Sequence, residues 1–231
     1  MSKCPFNYVD EQGKVFVPPS HPLRSDIPAP PAQMQHLPID ERGYPVPFFV
    51  AWTQHKPEFR GSSRQVQRLC IEKSLCWVCG LPLRGEMVFT IGPMCSVNRL
   101  SAEPPSHIAC ARYSVRACPF LSKPQMVRRE DGLPERLDFG AGISLRHNPG
   151  VTLLWFARAF TVEYYPEGAL WRIERQPVLV EWWARGRKAT RDEVVAAFEG
   201  GLPKLRALAT EEGSLESLEK QVSRAMRLVP R

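Results

Sequence analysis

Between Cys76 and Cys118 the chain carries five of its seven cysteines and one of its five histidines, in the string CWVCGLPLRGEMVFTIGPMCSVNRLSAEPPSHIACARYSVRAC. Cys76 and Cys79 form a C-x2-C pair, 27 residues intervene, and His107 and Cys110 form an H-x2-C pair. This is metal-ligand spacing. A cysteine pair closed by a glycine, here Gly80, makes a tight knuckle whose backbone amides point at the sulfurs. Residues three apart in the first turn of a helix share a face. Three thiolates and one imidazole suit a tetrahedral zinc ion and disfavour calcium or magnesium, so Cys76, Cys79, His107 and Cys110 are the expected ligands of a structural zinc. Four protein ligands leave no open position for a catalytic water, so the spacing names a site and no reaction.

The other cysteines are weaker candidates. Cys95 is the substitute ligand, because it follows the strand-like run Met87–Ile91 inside the same segment. Cys118 lies eight residues beyond Cys110, about 12 Å along a helix, too far to share one ion. Cys70 falls on the apolar side of a helical pattern with Val66 and Leu69 and reads as a small buried hydrophobe. A second metal site drawn from Cys4, Cys70, Cys95 and Cys118 is disfavoured.

Three segments are expected, giving an α+β fold. Residues 1–60 hold 11 of the 23 prolines, which excludes long helices and central strands and predicts an extended arm. Its aromatic residues, from Phe6 to Trp52, predict that it lies on the rest of the molecule, with YPVPFFVAW docking as a short strand. Residues 61–122 hold a helix opened by a Ser62–Gln65 capping box, the knuckle, a strand at Met87–Ile91 read as one arm of a hairpin, and a helix from His107 to Ala117 capped by Ser106. Knuckle, hairpin, and helix with ligands in its first turn is an order that resembles the treble-clef zinc scaffold.

Residues 123–231 are expected to form an antiparallel β-meander near 141–147, 151–164 and 169–175, followed by helices. The Asn148-Pro149-Gly150 and Pro166-Glu167-Gly168 triplets mark its turns. Trp155, Phe156, Phe160 and Trp171 are expected in its core, the alternative being an exposed platform for stacking nucleic-acid bases. PVLVEWWARG reads as helical, Thr190 and Glu193 as a capping box, Pro203 as the first residue of a further helix, and Leu215, Leu218, Val222 and Met226 as the apolar stripe of the last one.

Charge bounds the function. The chain carries a formal +7, and residues 71–130 contain 8 basic against 4 acidic side chains. Such a segment can attract phosphate without being a dense DNA-binding arm. Arg112, Arg116, Arg128 and Arg129 are its candidate nucleic-acid contacts. Enzymatic readings are weak. The stretch FTIGPMCSVN lacks the histidine an HNH-type nuclease hairpin needs, and the CxxC sits in a glycine-terminated knuckle instead of opening a helix in a βαβ unit. His147, beside a turn, reads as a polar turn residue. An odd cysteine count, no export signal and no membrane-length apolar run lead to the expectation of reduced thiols and a cytoplasmic setting.

The strings CWVCG, IGPMC, EPPSH followed by CA, ACPFL, GR-x-ATR-x-EV and GLP-x-L together resemble an uncharacterised family of bacterial and bacteriophage proteins. The resemblance implies a reduced cytoplasmic setting and a structural metal, and it implies no activity. Three functions are therefore weighed. The first is a zinc-stabilised protein contacting nucleic acid, the second a factor that modulates a bacterial protein complex, and the third an enzyme with an unfamiliar site.

Overall fold

The computed structural model describes residues 7–9, 12–62, 64–123, 126–127, 148–166, 168–173 and 176–231. In chain order the elements are β1 (Tyr8–Val9), β2 (Val15–Phe16), a 3-10 turn (Ala32–Met34), β3 (Val50–Thr53), β4 (Lys56–Ser62), α1 (Arg64–Lys73), β5 (Met87–Ile91), α2 (Pro93–Asn98), β6 (Leu100–Ser101), α3 (Ile108–Ala117) and α4 (Pro119–Ser122). There follow β7 (Thr152–Ala157), β8 (Phe160–Tyr165), β9 (Gly168–Ile173), β10 (Leu179–Ala184), β11 (Arg187–Lys188), α5 (Arg191–Glu211) and α6 (Leu215–Met226). Helix and antiparallel sheet are mixed, which makes the fold α+β.

The organising layer is an antiparallel sheet in the order β11-β10-β7-β5. All six residues of β7 are buried, because side chains alternate between two covered faces. Leu153 and Trp155 point with Phe89, Ile91 and Trp182 into the principal core, which also takes Trp171 and Ile173 of β9 and Phe198 and Leu202 of α5. Leu154 and Phe156 point the other way, onto Val88 of β5 and Ala111 and Val115 of α3. The sheet thus holds α3 and Leu121 of α4 on one face and α2, α5 and α6 on the other. A second sheet, in the order β6-β9-β8, contributes to the principal core.

Several expectations change here. The run 151–164 is two strands, broken at Arg158 and Ala159, and they belong to different sheets. The expected first meander strand, 141–147, lies outside the described residues, as does His147. PVLVEWWARG contains the strand β10 and no helix. Its buried residues, Glu181, Trp182 and Ala184, fall on both faces, so it offers no alternation of apolar and polar residues to separate it from a helix by sequence. The pair of helices expected around Pro203 is the single helix α5. Val194, Phe198, Leu202 and Ala209 continue one buried face across the proline, and that burial outweighs one missing backbone bond. Ser62 ends β4, two residues before α1 begins at Arg64, and the residue between them lies outside the described residues. The Thr190–Glu193 capping box forms as read. Trp155, Phe156 and Trp171 are fully buried and Phe160 packs against the core, so none of the four forms an exposed stacking platform.

Residues 12–62 run over the α1 and α3 side. Tyr8, Phe16 and Trp52 pack edge to face, and Phe49 stacks on Trp77 with ring centroids 4.9 Å apart. The turn joining β3 to β4 places Gln54 and His55 at positive φ. No helix among the described residues is long and apolar enough to cross a membrane.

Candidate metal centre

Two short structures bring the four candidate ligands together. The first is the knuckle. The Leu75–Pro82 bridge, with bonds from Cys76 N–H to the Leu81 carbonyl and from Leu83 N–H to the Ser74 carbonyl, clasps its two ends. Gly80 follows Cys79 with φ of 72°, a conformation that glycine adopts without steric cost. The second is the start of α3. His107 is its N-cap and Cys110 lies in its first turn. The pair Val88–Ser106 ties the residue before His107 to β5, and Trp77 N–H donates to the Pro105 carbonyl, so sheet, knuckle and helix start are locked together.

The result is a cluster in which one ligand atom from each of Cys76, Cys79, His107 and Cys110 lies within 4.8 Å of the others. Nδ1 of His107 is 3.3 Å from the Cys79 sulfur and 4.0 Å from the Cys110 sulfur. A tetrahedron with metal–sulfur and metal–nitrogen bonds of about 2.3 and 2.0 Å has sulfur–nitrogen edges of roughly 3.5 Å, so the spacing fits an ion at the centre. The other imidazole nitrogen, Nε2, is 3.1 Å from the Pro82 carbonyl. Donation to that oxygen fixes the ring and leaves Nδ1 as the ligating lone pair. These four residues lie together and could hold a metal ion.

The four groups are electrostatically coupled. All three cysteines are fully buried. The Cys76 sulfur accepts from the backbone N–H groups of Cys79 and His107 at 3.5 and 3.3 Å. Burial opposes ionisation of Cys76, but hydrogen bonds from Cys110, Cys79 and His107 overcome it and hold its thiol well below the ordinary range. His107, hydrogen-bonded first to Cys76 and then to Cys79, is pushed up to about 10. The positive end of α3 faces the same sulfurs. Hydrogen bonds with Cys76 and Cys79, and burial, push the Cys110 thiol the other way, so an anionic Cys76 sulfur faces a cationic imidazole. A divalent ion would displace the imidazole proton and hold the sulfurs as thiolates.

The N-terminal segment covers this centre. Met34 and Leu37 pack with Cys76, Cys79, Cys110 and Tyr113, Nε2 of His36 is 2.9 Å from the Cys79 carbonyl, and Phe48 N–H donates to the Val78 carbonyl at 2.8 Å. The sequence did not single out His36, Met34 or Leu37; nothing in their local pattern refers to residues forty positions away.

The remaining candidates separate. Cys95 lies on α2 and packs against the principal core, outside the cluster. Cys70 is buried with Phe48 and Trp77, and burial pushes its thiol up, as expected for a small hydrophobe. Arg112 projects from α3 to Glu181 of β10, with guanidinium–carboxylate contacts of 2.5 and 3.2 Å. Arg116 is exposed and, among the described residues, makes no ion pair. Arg128 and Arg129 lie outside the described residues. No protein-family model, curated protein or solved structure matches the chain.

Proposed function

We propose that Cys76, Cys79, His107 and Cys110 hold a structural zinc ion and that the protein is a zinc-stabilised binding protein that contacts nucleic acid. The observation that carries this reading is the position of α3. Its first turn supplies two of the four ligands, and its outer side sends Arg112 and Arg116 to the surface. A metal that pins α3 therefore also fixes where those cations stand. The sulfur-rich donor set selects zinc over harder ions, and four protein ligands give the ion a structural role. Knuckle, strand and ligand-bearing helix follow in treble-clef order, with the Val88–Ser106 pair in place of a local hairpin. The resemblance to bacterial and bacteriophage proteins agrees with a cytoplasmic setting and reduced thiols.

Two measurements test the reading. Metal analysis of purified protein is expected to return one zinc per chain, and Cys79→Ser to lose it; a Cys79→Ser protein that folds and keeps one zinc per chain overturns the ligand set. A fluorescence titration with short duplex and single-stranded oligonucleotides is expected to give binding that weakens as salt rises. Absence of salt-dependent binding overturns the nucleic-acid reading. It favours the second reading, a factor acting on a bacterial protein complex through the N-terminal segment, where Val15 and Val17 are exposed.

A further inference from the structure

The β10–β11 hairpin turns through Arg185 and Gly186, both at positive φ, 53° and 73°, as a type I′ turn requires. Asparagine, aspartate or glycine normally fills the first of these positions. An arginine there keeps a left-handed backbone that its Cβ disfavours, and the turn gains nothing from it that asparagine would not give. What the arginine adds is a cation at the tip. The two residues that follow, Arg187 and Lys188, are cations as well, and all three side chains are at least half exposed.

The tip lies against the end of α3. A Cβ on Gly186 would stand 3.6 Å from the Arg116 carbonyl oxygen, so the turn brings Arg116 alongside it. One turn back along α3, Arg112 meets Lys188 across a shared carboxylate, Glu181. Arg187 is bidentate on Glu193, at 2.7 and 2.9 Å, and Arg185 is 3.9 Å from the same carboxylate. Among the described residues, only Glu181 and Glu193 are in ion-pair reach of these five cations. The carboxylates hold two of the arginines in place, and the guanidinium groups keep outward N–H donors for a second acceptor.

We infer that this corner, formed by Arg116 and Arg112 of α3 with Arg185, Arg187 and Lys188 of the β10–β11 hairpin, is the surface that takes the phosphodiester backbone of a nucleic acid. The inference rests on the nucleic-acid reading above and assigns it a site and a mode. Arginine forks match phosphate oxygens, and the aromatic residues considered for base stacking lie in the core, so recognition is of the backbone and varies little with sequence. The metal lies at the opposite end of α3, where it sets the position of the helix without touching the ligand.

The test uses the full-length, metal-loaded chain with Arg185→Asn and Arg116→Gln, singly and combined. Asparagine suits the turn, so Arg185→Asn keeps the hairpin while removing the charge. The probe is a short fluorescein-labelled duplex of mixed sequence, titrated at several salt concentrations. Wild type binds with a negative log–log salt slope. The double variant is expected to bind more weakly to every sequence, with the slope reduced in magnitude by about 2, one for each lost phosphate contact. Arg224→Gln with Arg227→Gln, exposed at the C-terminal end of α6, is the control and is expected to leave affinity and slope unchanged. The assignment is overturned if the hairpin and α3 variants bind like wild type, if the α6 variant loses as much as they do, or if polyglutamate competes as well as unlabelled duplex. A wild-type protein that binds no oligonucleotide removes the underlying reading instead, which is a different result from a wild type that binds elsewhere.

Discussion

Ser74 ends α1 with φ of 50° and turns the chain into the knuckle, its carbonyl accepting from Leu83 N–H. A left-handed serine is strained, and the exposed side chain has no role in the cluster. Ser74→Gly is expected to stabilise the protein by about 0.5–1 kcal/mol, the relief of the Cβ clash less the added entropy of an unfolded glycine. Chemical denaturation measures it, and a destabilised variant contradicts it. Glu181 makes a second prediction at this scale. Burial works against its ionisation, yet hydrogen bonds from Arg112, Lys188 and Trp183 hold its carboxyl at about 2. A carboxylate depressed in the folded state stabilises the fold above its ordinary range and loses that contribution as pH falls through that range toward 2. Glu181→Gln should therefore cost about 1–2 kcal/mol near neutral pH. The gap between variant and wild type should close on acidification, and a gap that stays constant with pH contradicts the assignment.

At the scale of elements, α5 shows how neighbouring residues of one type can do opposite things. A Cβ on Gly200 would meet nothing within 4 Å, whereas one on Gly201 would fall 2.7 Å from the Met94 sulfur of α2. Gly200→Ala is expected to raise stability by up to about 1 kcal/mol through helix propensity alone. Gly201→Ala should forfeit that gain, because Met94 must move from its place in the core before the helices can keep their contact. Thermal melts of the two variants compare them directly; equal stabilisation would mean that α2 and α5 are not in close contact. The same helix illustrates what sequence can and cannot say about an element. Thr190 and Glu193 reveal its start because a capping box is a contact within four residues. Pro203 misled because continuity was decided by the buried face of the helix, which runs past this exposed proline. In β10 the consecutive tryptophans Trp182 and Trp183 face opposite sides of the sheet, one toward α5 and the other toward α3.

Across the whole molecule the candidate metal cluster joins three parts of the chain, since residues 34–37, the knuckle and α3 share one small core. If the proposed zinc is bound there, such a structural site contributes on the order of 10 kcal/mol of apparent binding energy at neutral pH. Removal of the ion by a strong chelator is expected to make residues 20–50 and the knuckle sensitive to protease together, while the sheet β10-β7-β5 and α5 persist longer. Added cobalt should restore protection and give the visible absorption of a tetrahedral thiolate complex. Protection of residues 20–50 that survives metal loss would show that their packing is independent of the ion.

The C-x2-C and H-x2-C pairs, the extent of α3 to within a residue and the capping box of α5 were legible in the sequence, because each depends on side chains within a turn or two of one another and leaves a spacing that can be read directly. That the two pairs meet across 27 intervening residues is a tertiary fact. Tertiary structure alone decided that β5 pairs with β7, that His36 and Met34 cover the sulfurs, and that Arg112 answers Glu181 while Arg116 meets the hairpin tip. Those contacts join positions tens of residues apart, and the free energy that selects them comes from burying both faces of one sheet at once, which no local pattern of residues records.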